Sequence, residues 1–143
     1  MLVTVALPIY NGLPYLREAI DSILIQDIDL ELIVSDDGSR DGSLDIVKAF
    51  SDPRIRVLHN SSNAGIFGNL NRCIHAAKGE FVQVFSQDDL MKSGFLDSQV
   101  RLLLRYPEAG IVYGTPEYID ANGISKGIKN DDETPEFIDK SLY

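Results

Sequence analysis

The 143-residue chain has no tryptophan, one cysteine and two histidines, and it is short of positive charge: 13 Lys and Arg stand against 22 Asp and Glu, a formal net charge of −9. Each shortage excludes something. A lone cysteine, Cys73, forms no intrachain disulfide, which suits a reducing compartment. Cys73 itself reads as a small buried hydrophobe rather than a nucleophile. The acid excess, with no run of Lys or Arg, argues against a nucleic-acid partner. No stretch approaches the roughly 20 apolar residues of a membrane span. The opening MLVTVALP lacks both the basic start and the long apolar run of a signal peptide. The expectation is a soluble, cytoplasmic protein, with a peripheral place at the inner face of the membrane left open. An anionic ligand would need local help from a metal, from helix N-termini, or from single bases such as Arg54, Arg56 and Arg72.

Hydrophobic residues make up 44% of the chain, enough for one domain with a substantial core. Residues 2–7 read as a short strand stopped by Pro8, with Asn11-Gly12 completing the break. The period then changes: Leu13, Leu16, Ile20, Ile23 and Leu24 share a helical face, and Pro14 fits a first helical turn. A second strand, 30–35, runs into the polar stretch 36–43 and a helix through Leu44, Ile46, Val47 and Phe50, with Asp41 or Ser43 as N-cap. A third strand spans 54–58. A helix over 66–77 ends at Lys78-Gly79, and a fourth strand, FVQVF, spans 81–85. A helix over 95–106 stops at Pro107, and Ile111-Val112-Tyr113 reads as a fifth strand. This alternation is the signature of βαβ crossovers and predicts an α/β fold: a mainly parallel sheet with helices on both faces. Beyond Thr115 the alternation stops; Asp120-Ala121-Asn122-Gly123 signals a turn with short strands on either side, and 130–143 is an acidic tail, loosely held.

In a parallel sheet the strand ends fall on one side, so residues 8–11, 36–39 and 86–89 converge there, where open α/β sheets bind ligands. Each stretch has a plainer reading: Asp-Asp-Gly-Ser as a turn with a helix cap, Asp88-Asp89 as a solvated cap on a helix dipole, Tyr10-Asn11-Gly12 as a loop. Their occurrence together, each after a strand, favours a ligand site. Adjacent carboxylates there suit Mg2+ or Mn2+, hard cations commonly held by one or two carboxylates plus substrate phosphates. No G-x-G-x-x-G follows the first strand, which weighs against a dinucleotide-binding domain.

VTVALPIYNGLPYLREAIDSILIQ at 3–26, ELIVSDDGSRDGS at 31–43 and NAGIFGNLNRCIHAAKGEFVQVFSQDD at 63–89 together resemble the family 2 glycosyltransferases of the Rossmann-like GT-A fold. That family moves a sugar from a nucleotide-diphosphate donor to an acceptor hydroxyl. The resemblance covers about the first 115 residues and implies a donor-binding core over 1–115, with 116–143 the start of an acceptor-side region that is incomplete. It implies that Pro8, Ile9, Tyr10 and Asn11 line the nucleotide pocket, with Tyr10 near the base. Asp36 and Asp37 would belong to the nucleotide pocket, with Asp37 accepting a hydrogen bond from a uracil-type imide, and Asn63, Gly65 and Asn69 would shape the donor site. Asp89 would ligate Mg2+ or Mn2+, with Asp88 on the metal's water or the ribose. The implied partners are a nucleotide-sugar donor, UDP-linked, and a saccharide or lipid-linked acceptor. The implied reaction is inverting and metal-dependent, in polysaccharide or glycoconjugate synthesis.

Two departures stand out. Many relatives carry an acid where this chain has Ser86, so its carboxylate set is smaller and metal should bind weakly without nucleotide. The family's catalytic base lies downstream of the residues present, and neither Glu117, Asp120 nor the tail acids match its context, so the base is unassigned. The rival reading is a catalytically silent nucleotide- or partner-binding module.

Overall fold

The computed structural model describes residues 1–128. Four strands, β1 (Val3–Ile9), β2 (Leu30–Asp36), β3 (Ile55–His59) and β4 (Phe81–Val84), form one parallel sheet in the order β3-β2-β1-β4. Helices α1 (Leu16–Leu24), α2 (Ser43–Lys48) and α3 (Gly65–Ala76) make the crossovers, and α4 (Phe95–Arg105) follows β4. A separate antiparallel hairpin, β5 (Glu117–Ile119) with β6 (Ser125–Ile128), flanks the expected turn at Asp120 to Gly123. The acidic run expected at 130–143 lies outside the described residues.

The period-2 pattern of the strands sorts side chains onto two unequal faces. Val3, Val5, Leu7 and Ile9 of β1 and Leu30, Leu32 and Val34 of β2 pack with Leu16, Ile20 and Ile23 of α1, Val47 of α2 and Leu96 and Val100 of α4. The alternate residues, Ala6 and Ile33, meet Cys73 of α3. Small residues there let α3 lie close to β1 and β2. Cys73 is fully buried and its Sγ lies 3.9 Å from the Ile33 carbonyl. Burial pushes its thiol up to about 11, which fits the inert role read from the sequence.

Strands two, three and four and all four helices form where the alternation placed them, to within three residues at each end. Three expectations are corrected. Pro8 does not stop the first strand; β1 continues to Ile9, with Pro8 opposite Ser35 of β2. Alternate residues of β1 address its two neighbours: the Leu2 and Ala6 carbonyls accept from Glu80 and Phe85 on the β4 side, whereas the Ile9 carbonyl accepts from Asp37 on the β2 side. The ring nitrogen of Pro8 therefore faces the side where β4 has already ended, and no ladder bond is lost. The first helix begins at Leu16 rather than Leu13, which is exposed. Ile111-Val112-Tyr113 forms no strand; Ile111 and Tyr113 are exposed, and β4 is a sheet edge among the described residues.

Candidate functional site

Chain direction along the sheet reverses at β1. The crossovers through α1 and α2 step outward to β2 and β3, and α3 then carries the chain back across to β4 on the other side of β1. The ends of β1 and β4 thus flank a topological switch point, where the loops diverge and leave a crevice. Residues 10–13, 36–43, 60–64 and 86–89 lie at this edge.

Residues 10–13 have no regular structure of their own to satisfy their backbone, and side chains from elsewhere do so. The N–H of Tyr10 donates to Gln87 Oε1 at 2.9 Å, that of Asn11 to Ser39 Oγ at 2.9 Å, that of Gly12 to Ser43 Oγ at 2.8 Å and that of Leu13 to Asp41 Oδ2 at 3.0 Å. Four consecutive amides are thus held by four different side chains. Two further bonds close the lacing: Gln87 Nε2 donates to the Tyr10 carbonyl at 3.2 Å, and the Arg40 N–H donates to Asn11 Oδ1 at 2.9 Å. Asn11 sits at φ +49°, a left-handed conformation that Asn tolerates better than most residues. The N-cap position of α2 falls on Gly42, at φ +94°, rather than on Asp41 or Ser43 as expected; Asp41 takes the Ser43 N–H and hydroxyl on Oδ1 at 2.9 and 2.6 Å as well as the Leu13 amide on Oδ2. Burial raises its carboxyl, but the Ser43 hydroxyl and the backbone N–H groups of Leu13, Ser43 and Asp41 itself outweigh that and hold it below the ordinary value.

Asp37 is 2% exposed. Its Oδ1 accepts from Asn60 Nδ2 at 2.6 Å and the Ala64 N–H at 2.9 Å, and its Oδ2 accepts from the Gly65 N–H at 2.9 Å. Burial raises this carboxyl too; the Ala64 amide, the Asn60 side chain and the Gly65 amide together bring it below its ordinary value. Asp37 therefore supplies α3 with the cap that Ala64 at its own N-cap position does not provide. Three of about four acceptor positions are filled, leaving one on Oδ2. The bond network continues inward. Asn60 Nδ2 also donates to Asn69 Oδ1 at 3.1 Å, Asn69 Nδ2 donates to the Ser35 and Ile9 carbonyls at 2.7 and 3.3 Å, and Arg72 donates to Asn60 Oδ1. Arg72, one of the bases expected to help an anionic ligand, is exposed and braces this network through Asn60.

Two residues expected in the nucleotide pocket are turned away from it. The Ile9 side chain is 1% exposed, in the main core, and only its carbonyl takes part at the edge. Asp36 is fully buried; its Oδ1 accepts from the Ser39 N–H at 3.1 Å and its Oδ2 lies 3.0 Å from His59 Nδ1. In a two-residue alternation one aspartate of the pair faces inward, and here it is Asp36. Pro8, Tyr10 and Asn11 line the edge, half-buried or exposed. Asn63 Oδ1 accepts the Gly65 N–H at 2.9 Å, and Gly65 takes φ +74° to start α3. Asn69 is 2% exposed and shapes the edge from beneath.

Asp88 and Asp89 are exposed at the end of β4, and among the described residues neither carboxylate has a hydrogen-bond or ion-pair partner. Adjacent, unneutralised hard oxygen donors fit Mg2+ or Mn2+. Among the described residues no three His, Cys, Asp or Glu converge on one point, so such an ion needs ligand oxygens to complete its shell. Asp88 also lines a cleft of about 200 Å³ with Tyr15, Glu18, Leu90, Ile119 and Asp120. Glu117 pairs with Lys92, and Asp120 with Lys126 at 2.9 Å. Neither is a free base. Sequence reasoning missed Asn60 and Gln87. The signal for Asn60 was its place directly after a strand end, level with the acids; for Gln87 it was an uncharged amide inside an acidic loop.

These features define an open α/β sheet with acidic loops at the edge of its switch point. A sequence model of Glycosyl transferase family 2 matches residues 4–141, and the chain belongs to that family. An uncharacterized glycosyltransferase of Rickettsia felis is 38% identical over 138 residues, covering 94% of this chain and 23% of that protein. Among solved structures, S. aureus TarS 1-349 in complex with UDP superposes with a TM-score of 0.67 at 25% identity, covering 86% of this chain and 43% of that one. The mannosyltransferase PcManGT from Pyrobaculum calidifontis, in complex with GDP-Man and Mn2+, does so with a TM-score of 0.66 at 31% identity, covering 71% of this chain and 32% of that one. The sheet is accordingly that of the GT-A glycosyltransferases. This chain spans less than half the length of each of these proteins. No helix among the described residues is long and apolar enough to cross a membrane.

Proposed function

We propose that this chain is the donor-binding part of an enzyme that transfers a sugar from a nucleotide-diphosphate donor, UDP-linked, to a hydroxyl of a saccharide or lipid-linked acceptor, in polysaccharide or glycoconjugate synthesis. The observation that carries the reading is the exposed, unpartnered Asp88-Asp89 pair at the switch point, beside a loop whose backbone is already immobilised. Residues 1–115 hold the donor and residues from 116 onward begin the acceptor side.

Pro8, Tyr10 and Asn11 form the wall against the nucleoside, and the free acceptor position of Asp37 is matched to an imide N–H of a uracil ring. Asp89 would hold Mg2+ or Mn2+, with Asp88 beside it on the ion's hydration shell or on the ribose. The cation, when bound, neutralises the diphosphate as it leaves. Asp37 keeps its charge without a bound cation because its donors are built into the fold, so nucleoside recognition and metal binding are separable. The transfer is a single displacement with inversion, its base supplied from outside the described residues. TarS was solved with UDP and PcManGT with GDP-Man and Mn2+, which supports a nucleotide donor and a divalent cation here.

Calorimetric titration of UDP, with and without Mn2+, tests the proposal. UDP should bind more tightly with Mn2+, and Asp89→Ala should abolish that gain; Asp89 is exposed, so the variant leaves the core intact. Equal binding with and without Mn2+ would refute metal-assisted donor binding.

A further inference from the structure

Among the described residues, Gln87 is the one side chain whose hydrogen bonds tie the carboxylate loop to the loop after β1. Its amide brackets Tyr10 from both sides, accepting from the N–H at 2.9 Å and donating to the carbonyl at 3.2 Å, across 77 positions of sequence. The other three laced amides, of Asn11, Gly12 and Leu13, are held by Ser39, Ser43 and Asp41. All three belong to the stretch that follows β2. Removing Gln87 would therefore leave residues 11–13 anchored but cut residues 86–89 loose from them.

A second observation concerns Gly12. A Cβ placed there would lie 2.8 Å from Gln87 Oε1 and 3.1 Å from its Cδ, with the next neighbour, Leu16 Cβ, at a tolerable 3.4 Å. Its missing side chain is thus the space that the Gln87 amide occupies. The two loops are fitted to one another at this point.

We propose that Gln87 is a positioning residue that fixes the distance between the nucleoside wall and the Asp88-Asp89 pair, so that a diphosphate anchored at its base end presents its oxygens to the metal. This rests on the donor-site reading above. Gln87 touches neither metal nor nucleotide in this role; it acts through the Tyr10 backbone. Coupling between two subsites is the quantity it controls, and coupling is measured as the factor by which one ligand raises the affinity for the other.

The test compares uridine, which reaches only the nucleoside wall, with UDP, each titrated with and without Mn2+. In Gln87→Ala, uridine should bind within about twofold of the unsubstituted chain while the Mn2+ enhancement of UDP binding falls at least about fivefold. Gln87→Glu keeps the acceptor for the Tyr10 N–H but sets a carboxylate against its carbonyl, and should fall between. Gly12→Ala, which displaces the amide, should lower the enhancement as Gln87→Ala does, and the double variant should be no worse than either single one, as expected for residues acting through one contact. An unchanged enhancement in Gln87→Ala, or losses in the two single variants that add in the double, overturns the positioning role and leaves the donor site standing. An unsubstituted chain that binds neither uridine nor UDP overturns both.

Discussion

Replacing Asp37 separates its structural role from its expected contact with the nucleotide base. Asp37→Ala removes three hydrogen bonds to a buried carboxylate, and one of the donors keeps another partner, the Gly65 N–H with Asn63 Oδ1. The uncompensated loss falls on the Ala64 N–H and on one of the two Asn60 Nδ2 hydrogens, the other remaining with Asn69 Oδ1. A hydrogen bond to a charged group contributes about 1.5–3 kcal/mol. Removing a negative charge from the N-terminus of α3 adds about 0.3–1 kcal/mol. With two such bonds lost, the expected cost at pH 7 is about 3–7 kcal/mol, against a total stability of about 5–15 kcal/mol. Asp37→Asn keeps the shape and one acceptor oxygen but loses the charge and turns a donor toward Gly65, for about 1–2 kcal/mol.

Urea titration followed by far-UV circular dichroism reads both variants. With a slope of about 2 kcal/mol/M the midpoint of Asp37→Ala should fall by about 1.5–3.5 M. The pH dependence supplies an internal check. The folded carboxyl lies below its unfolded value of about 3.9, so its stabilisation is complete above that value and disappears as the pH drops through the lower, folded one. The gap between the unsubstituted chain and Asp37→Asn should hold from pH 7 to 5 and shrink below about 4. A midpoint for Asp37→Ala within about 0.3 M of the unsubstituted chain, or a gap as wide at pH 3 as at pH 7, would refute the capping argument. A UDP titration of Asp37→Ala is consequently interpretable only where that variant is shown to be folded, and Asp89→Ala is the cleaner probe of the ligand edge.

The Arg54 guanidinium and N–H hold the Asp52 carboxyl down to about 2, and Arg54 also donates to the Leu24 carbonyl at 3.0 Å, tying the end of α1 to the start of β3. Stability from this pair should be present above about pH 4 and decline between about 4 and 2; Asp52→Asn should flatten the acid limb of a stability-against-pH curve in that window, and an unaltered limb would count against the assignment. Gly79, where the chain leaves α3, lies against β1: a Cβ there would come 2.5 Å from the Thr4 nitrogen and 2.8 Å from the Leu2 carbonyl oxygen. Backbone cannot yield as a side chain does, so Gly79→Ala should cost about 1–3 kcal/mol by urea titration, whereas Gly114→Ala, which meets mainly the Phe95 ring edge, should cost less.

Much of the fold was legible because helix and strand periods are local properties. Leu16, Ile20 and Ile23 share a helical face whatever they pack against, and four strand-helix alternations imply a parallel sheet. The misreadings share a cause: they concern partners. Pro8 breaks a strand only if its nitrogen faces a neighbour, and whether β4 extends that far is set beyond Val84, far along the sequence. Ile111-Val112-Tyr113 has strand composition, but among the described residues no neighbour pairs with it. At the candidate site, adjacency in sequence hid an opposition in space, since Asp36 faces the interior and Asp37 the capped helix. The lacing of the four amides of residues 10–13 left little trace in their own composition, because each of those amides is held by a side chain from elsewhere in the chain.

That lacing bears on how such a site can be altered. Because the amides of Tyr10, Asn11, Gly12 and Leu13 depend on Gln87, Ser39, Ser43 and Asp41, residues 10–13 are not a transplantable segment. Moved alone into a related scaffold they would arrive without their supports, and substitutions there to change nucleotide preference would act on a loop free to collapse. The transferable unit is the set 10–13, 39–43 and 87 taken together. A library that varies these positions jointly samples working walls, whereas one confined to the first loop mostly samples broken ones.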